Sequence, residues 1–320
     1  MPERINVLVL FGPTAGGKTR VLEELFAENS VCRAEIVSAD SMQVYKGMDI
    51  GTAKPSVGLQ ERLPHHLIDI RMPDQCYNAG DFVDCTDKAI ARIAGRSALP
   101  VVSGGTGFYL KNFIMGLPEA PPSDEGVRNA LKAEARERGI ETLAKELAAC
   151  DPVSAARIHI NDEYRLLRAL EVFRLTGAPL SSFSMNAGTP RDKYRLLILA
   201  LMRPREDLYR RINERCSLMF KDGLADEVRS LVSSGYGPAV PGMRAIGYRE
   251  FFDEHGAIRT DTGAVEALVA QHSRNYAKRQ MTYFASIPNT VWIRTDEETS
   301  IEHIQALLDA WRNNRRPARS

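Results

Sequence analysis

The chain is predicted to be an α/β protein: a P-loop parallel sheet flanked by helices, carrying a small all-helical insertion domain. Three observations predict it. The run Gly12-Pro13-Thr14-Ala15-Gly16-Gly17-Lys18-Thr19 keeps the G-x-x-x-x-G-K-T spacing of a phosphate-binding loop, between an apolar run and a helical stretch. Apolar runs alternate with helical patterns through the first hundred residues, the rhythm of parallel strands joined by helices. That rhythm then stops between two linker-like segments, where helical patterns follow one another with no convincing strand.

Residues 5–11 read as a strand, 12–19 as the glycine loop and 20–27 as a helix. A second strand is expected at 35–38 and a third at 66–70, then a helix at 82–94. Residues 99–102 form a further strand, running into the turn Ser103-Gly104-Gly105-Thr106-Gly107 and another helix. Ligand loops of such a sheet belong at the carboxyl ends of its strands. Segments 119–124 and 177–190 are rich in Pro, Gly and Ser, and between them lie helical patterns at 127–138, 141–149 and 163–175. The expected division is therefore a core of residues 1–118 and 191–320, with residues 119–190 as the insertion. Residues 195–202 resume the sheet. Helices at 205–233 and 263–287, a short strand at 290–293 and a helix at 301–313 complete it. The tail Arg315-Arg316-Pro317-Ala318-Arg319 is expected to fray, its charge solvated.

At 320 residues, 44% hydrophobic and 26% charged, the chain has the make-up of a globular protein with a sizeable core. No apolar run spans a bilayer, and the N-terminus lacks a signal-peptide layout. Five scattered cysteines, none spaced C-x-x-C, argue for reduced thiols in a cytoplasmic protein and against a zinc knuckle. A net charge of +1 means that any RNA partner must be met by clustered basic groups.

The glycine loop lets successive N–H groups turn towards phosphate oxygens, and the helix start adds partial positive charge. Lys18 adds a whole charge, and Thr19 offers a hydroxyl to a Mg²⁺ ion bridging two phosphates. Asp40 ends the apolar strand 35–38. In a sheet of this kind the strand after the phosphate-loop helix commonly lies near the first, which puts Asp40 at the same edge as the loop. A carboxylate there could hold the metal or take a proton from an acceptor. The competing reading on position alone is a turn or N-cap aspartate.

Residues 40–55, DSMQVYKGMDIGTAKP, bear on that choice. Together with GPTAGGKT they closely resemble the tRNA dimethylallyltransferases, also called tRNA isopentenyltransferases, of bacterial type. The resemblance continues through LPHHLID (63–69), YNAGDF (77–82) and PVVSGGTGFY (100–109). It goes on in order through RIH (157–159), RALEV (168–172), AIGYR (245–249) and KRQMT (278–282), covering nearly the whole chain. It implies transfer of a dimethylallyl group from dimethylallyl diphosphate to N6 of the adenosine at position 37, in tRNAs reading codons that begin with U. The phosphate loop then holds a diphosphate leaving group, since the same cradle serves either nucleotide or prenyl donor.

By that resemblance Asp40 is the general base for a weakly nucleophilic exocyclic amine. Lys18, the loop amides, Thr19 with Mg²⁺ and an arginine stabilise the leaving group. Thr106 resembles the family threonine near substrate tRNA and diphosphate, against a plain turn threonine. Arg215 is the first choice for that arginine and Arg211 the second, against a solvated helix face for both. The base is expected to be turned out of the anticodon loop and met by Asp40, Ser41, Met42 and Gln43. The insertion would grip the tRNA anticodon stem-loop through Arg128, Tyr164, Arg165, Leu166, Leu167 and Arg168. Arg244, Arg249, Lys278, Arg279, Gln280 and Thr282 would add RNA contacts on the core. A monomer is expected.

Two departures stand out. Glu163 and Tyr164 replace a commoner proline and glutamine, and Tyr283-Phe284-Ala285 replaces a commoner tryptophan-leucine-arginine. His65 and His66 beside Asp69 lack a full set of metal ligands, so structural roles are expected. Rival readings are an adenylate isopentenyltransferase, a small-molecule P-loop kinase and an RNA-binding protein with a vestigial loop. The insertion and basic segments speak against the first two, and the joint presence of Gly17, Lys18, Thr19 and Asp40 against the third.

Overall fold

The computed structural model describes residues 4–28, 32–183, 190–296 and 299–313. The tail holding Arg315 and Arg316, and part of the second linker-like segment, lie outside these described residues. The chain divides into two compact units: Met1–Ile114 with Arg191–Ser320, and Met115–Pro190.

In the first unit β1 (Ile5–Phe11) leads through the glycine loop into α1 (Lys18–Leu22), which widens into a π-helical turn, Glu23–Glu28. The regular helix expected over 20–27 is thus split. Val21, Leu22, Leu25 and Phe26 are buried all the same, so the apolar pattern could not distinguish the two windings. There follow β2 (Ala34–Ser38), α2 (Val57–Arg62), β3 (His65–His66), α3 (Ala79–Gly95), β4 (Leu99–Gly104) and α4 (Gly107–Met115). Asn78 caps α3 in a capping box with Asp81, accepting from the Gly80 and Asp81 N–H groups. β3 is shorter than the strand expected over 66–70, because Leu67 and Asp69 adopt left-handed backbone (φ 65° and 55°). Lys54 holds that bend, its Nζ 2.5 Å from the Asp69 carboxylate.

The second unit contains α5 (Glu125–Arg138), α6 (Ile140–Cys150), α7 (Pro152–Arg157) and α8 (Glu163–Thr176). Leu131, Leu143, Leu147, Leu166, Leu167 and Leu170 form its core. Glu171 is wholly buried there. It accepts from the Ser123 hydroxyl (2.7 Å), the Asp124 N–H (2.7 Å) and Arg128 (3.1 Å), and pairs with Arg168 (3.1 Å). Burial works to raise the Glu171 pKa, but these donors together hold it below the usual glutamate value.

The first unit resumes with β5 (Tyr194–Met202), α9 (Arg205–Lys221), α10 (Leu224–Ser233), α11 (Thr262–Phe284), β6 (Val291–Arg294) and α12 (Ser300–Arg312). The single helix expected over 205–233 is broken at Gly223 (φ 99°), whose left-handed backbone turns α10 back. Leu224, Val228 and Leu231 then share one core with Ile212 and Met219.

Among the described residues six parallel strands make one sheet, in the spatial order 3-2-4-1-5-6. Leu8, Leu10, Ile36, Leu199 and Leu201 pack with Ile304 and Leu308 of α12 on one face. On the other, Phe11 meets the Phe284 ring of α11 at 4.8 Å. Burial on both faces explains why the strands read as near-continuous apolar runs. The second strand lies near the first but not beside it: β4 stands between them. Pairing Phe11 with Gly104 and Ser38 with Ser103 sets the carboxyl ends of β1, β4 and β2 level, in that lateral order.

Candidate active site

Three loops leave those three strand ends. The phosphate loop follows β1, the turn Gly105-Thr106 follows β4, and Ala39-Asp40-Ser41 follows β2. Two strand spacings, about 10 Å, separate the outer pair. The middle turn closes that gap. The Ala39 N–H donates to the Ser103 carbonyl (2.7 Å), the Thr106 N–H to the Ala39 carbonyl (3.1 Å), and the Ser41 N–H to Thr106 Oγ1 (3.0 Å). Gly104 makes the approach possible: a Cβ there would lie 2.1 Å from the Ala39 carbonyl oxygen.

The phosphate loop is held from several sides. Ala15 (φ 57°) and Gly17 (φ 98°) are left-handed, the geometry that curls backbone N–H groups into an anion nest. Lys18 Nζ donates to the Gly12 and Pro13 carbonyls at 2.8 and 3.0 Å. Arg211 Nε donates to the Ala15 carbonyl (3.1 Å), and the buried Thr295 hydroxyl to that of Gly16 (3.1 Å). Thr19 stands exposed at the start of α1. Burial, then the Arg215 charge, push the Lys18 ammonium down to about 8, against the opposing pull of Asp40. Burial likewise lowers the Arg215 guanidinium from its ordinary value, and Asp40 pulls it back up. Lysine, arginine and aspartate therefore sit within one another's fields.

Two cavities meet here. One, of about 490 Å³, is lined by the loop from Thr14 to Thr19 with Asp40, Gly105, Arg211 and Arg215. The other, of about 280 Å³, is lined by Asp40, Ser41, Met42 and Arg215. Its wall also carries the apolar Ile212, Met219 and Val269 and the cationic Arg244, Arg249 and Arg279. Thr14, Asp40, Thr52, Arg215 and Tyr276 line both. Sequence reasoning selected Thr14, Asp40 and Arg215 and missed Thr52 and, on α11, Tyr276. The available signal for Tyr276 was its place three and four residues before Arg279 and Gln280 and so on the same helix face. Burial first, then the Asp40 charge, push the Tyr276 hydroxyl up to about 12, against Thr106, Arg279 and Gln280.

Asp40 Oδ1 accepts from the Met42 N–H (2.9 Å) and, at 3.3 Å, from that of Gln43. The turn-aspartate geometry and the cavity-facing position thus coexist in one residue. Gln43, expected to meet the base, is occupied within the fold. Its amide accepts from the Ser38 hydroxyl (2.9 Å) and faces the Thr52 and Ala53 carbonyls at 3.3 and 3.2 Å. The segment it holds is pinned further on: Glu227 accepts the Asp49, Ile50 and Gly51 N–H groups and the Tyr248 hydroxyl.

Other expected RNA contacts divide. Lys278 and Thr282 are exposed on α11 but do not line either cavity. Gln280 is only 4% exposed, and its amide bonds the Thr14 N–H and the Gly105 carbonyl within the fold. In the insertion Leu166 and Leu167 are core residues, a correction that follows from their place on the inner face of α8. Arg128 and Arg168 serve the buried Glu171, whereas Arg165 is exposed and pairs with Asp162 at 3.3 Å. Tyr164 is 68% exposed, with the Arg128 guanidinium 5.0 Å above its ring. His66 bonds the buried Glu35 (2.8 Å), and His65 faces the Leu63 carbonyl (2.6 Å).

Comparison with known proteins agrees with this architecture. A family model described as IPP transferase matches residues 43–287. A tRNA dimethylallyltransferase of Geobacter metallireducens is 45% identical over 91% of this chain and 93% of its own length. One from Pelobacter propionicus is 41% identical over 96% and 99%. The crystal structure of a Bacillus halodurans tRNA isopentenylpyrophosphate transferase, 35% identical, superposes with a TM-score of 0.67 over 97% of both chains. A eukaryotic dimethylallyltransferase acting on tRNA shares the fold, at 24% identity and a TM-score of 0.80 over 99% of this chain and 81% of that one. With a family model spanning most of its length and relatives above 40% identity almost end to end, the chain belongs to the IPP transferase family.

Proposed function

We propose that the chain transfers a dimethylallyl group from dimethylallyl diphosphate to N6 of adenosine 37, beside the anticodon, in tRNAs reading codons that begin with U. The product is N6-(dimethylallyl)adenosine. The observation that carries this reading is the junction of the two cavities at Asp40, opposite Lys18 and Arg215. A donor with its diphosphate on the loop and an adenine in the smaller cavity would meet there.

The allylic C–O bond to the diphosphate breaks and the N6–C bond forms. Asp40 takes the N6 proton, an effect worth about 100- to 10,000-fold for a positioned base. Negative charge growing on the diphosphate is met by the loop N–H groups, Lys18, Arg211 and Arg215. The Thr19 hydroxyl is a hard oxygen donor on the larger cavity and fits Mg²⁺, which takes few protein ligands beside substrate phosphates. When bound, Mg²⁺ would supply further positive charge to the leaving group. Arg244, Arg249 and Arg279 rim the smaller cavity, as an RNA acceptor requires. The insertion would hold the anticodon stem-loop, with Arg165 and Tyr164 as its exposed groups. Every group this reading uses lies on one chain, and among the described residues no helix is long and apolar enough to cross a membrane.

The test is nucleoside mass spectrometry of tRNA incubated with the protein, Mg²⁺ and dimethylallyl diphosphate. Prenylated adenosine 37 is expected. Prenylation of AMP but not tRNA, or ATP consumption without prenyl transfer, would reject the reading.

A further inference from the structure

Gln280 projects from α11 into the gap between the phosphate loop and the turn after β4. Its Oε1 accepts the Thr14 N–H at 2.9 Å, and its Nε2 donates to the Gly105 carbonyl at 2.7 Å. These partners lie 266 and 175 residues away in sequence. The chemistry of the partners sets the orientation of the amide: one is a donor and the other an acceptor. A carboxamide of this reach satisfies both, whereas a carboxylate, an ammonium or a hydrocarbon satisfies at most one.

The chain of contacts continues to the acid. Gly105 precedes Thr106, whose N–H bonds the Ala39 carbonyl and whose hydroxyl oxygen accepts the Ser41 N–H. Asp40 lies between Ala39 and Ser41. Hydrogen bonds thus join loop to amide, amide to turn, and turn to both backbone neighbours of the acid, and Thr14, Gly105, Gln280 and Asp40 all line the larger cavity. The path is tight: a Cβ on Gly105 would lie 2.6 Å from Gln280 Nε2.

We propose that Gln280 is a positioning residue: its buried carboxamide couples the phosphate loop to the turn that holds Asp40, and so sets the gap between leaving group and base. This deepens the transferase reading and rests on it for its kinetic consequence. Displacements of about 1 Å in a reacting pair cost on the order of 100-fold in rate. Loss of the clamp acts on turnover and not on RNA affinity, since the side chain is only 4% exposed and is engaged by the loop and the turn.

The experiment compares the full chain with Gln280→Leu, which loses both bonds, and Gln280→Glu, which keeps the Thr14 acceptor and loses the Gly105 donor. Hydrogen exchange is read with and without inorganic pyrophosphate and Mg²⁺, alongside kcat, KM and tRNA Kd. In the unaltered chain pyrophosphate is expected to protect residues 12–19 and also 38–43 and 104–107. In Gln280→Leu the protection should stay within 12–19, with kcat down about 100-fold and tRNA Kd changed less than twofold. Should Gln280→Leu fail to fold, the Glu variant is expected to show the same confinement. Protection reaching 38–43 in either folded variant overturns the proposal, as does a tenfold loss of tRNA affinity with kcat kept. If the unaltered chain prenylates no tRNA, the transferase reading fails, and the exchange pattern still judges the clamp.

Discussion

Asp40 and Lys18 show how one residue's environment decides its chemistry. Asp40 spends Oδ1 on the backbone of its own turn and still faces both cavities. Replacing it with Asn keeps the shape and removes the base. Asp40→Asn is therefore expected to lower kcat by about 100- to 10,000-fold while tRNA Kd, measured by filter binding, stays within a few-fold. Lost binding with kcat kept would make Asp40 a recognition residue. Lys18 is protonated at neutral pH but, at about 8, loses its charge well before an ordinary lysine. Raising the pH through that value strips the loop of its cation. The ratio kcat/KM for dimethylallyl diphosphate should then fall, approaching about tenfold per pH unit, because it reports the free enzyme. A bound diphosphate pulls the lysine pKa back up, so kcat should decline at higher pH than kcat/KM. A flat kcat/KM between pH 7 and 9.5 would remove Lys18 from the diphosphate site.

At the scale of elements, the site is made by the level ends of three neighbouring strands. β4 supplies no catalytic side chain, but its last residue, Gly104, lets Ala39 cross above it. In Gly104→Ala the added methyl meets backbone atoms at 2.1 and 2.3 Å, which cannot swing aside as a flexible side chain would. Overpacking of this kind costs about 1–3 kcal/mol, so a lowered melting temperature is expected. Because the displaced segment carries Asp40, activity should fall further than stability does, even at temperatures where the variant is fully folded. Unchanged kcat in a folded Gly104→Ala protein would show that Asp40 tolerates movement of its strand end. Glu227 does similar anchoring further along, gathering three N–H groups of the 49–51 turn and the Tyr248 hydroxyl.

The molecule as a whole separates chemistry from an appended helical unit with its own core. The ends of the first unit that flank that appendage lie side by side, since the Arg191 N–H bonds the Ile114 carbonyl at 2.8 Å. Replacing residues 117–189 by a short Gly-Ser linker should therefore leave the sheet unit folded. That shortened protein is expected to bind inorganic pyrophosphate with Mg²⁺ as the full chain does, by calorimetry. Its affinity for tRNA should fall at least tenfold, by about 1.4 kcal/mol or more. Undiminished tRNA affinity would assign RNA binding to the sheet unit alone.

Much of this was legible in the chain itself, and for physical reasons. The G-x-x-x-x-G-K-T spacing, the apolar runs of the buried strands and the helical patterns between linkers are local signals, set by backbone conformation and two-sided burial. They located Lys18, Thr19, Asp40 and five of the six strands closely, with β3 shortened by its left-handed bend. The family resemblance then named Arg215 and Thr106 as partners. Lateral order was not legible, because nothing local in β2 says that β4 will lie between it and β1. Nor was the difference between a side chain that meets ligand and one that serves the fold. Gln280, Arg128 and Arg168 carry the same polar groups as RNA-binding residues, and only burial and occupied hydrogen bonds tie them to the fold. The sequence by itself determined the elements and their chemistry. Tertiary structure decided which groups are left free to act, because satisfying a buried polar atom depends on neighbours hundreds of residues away.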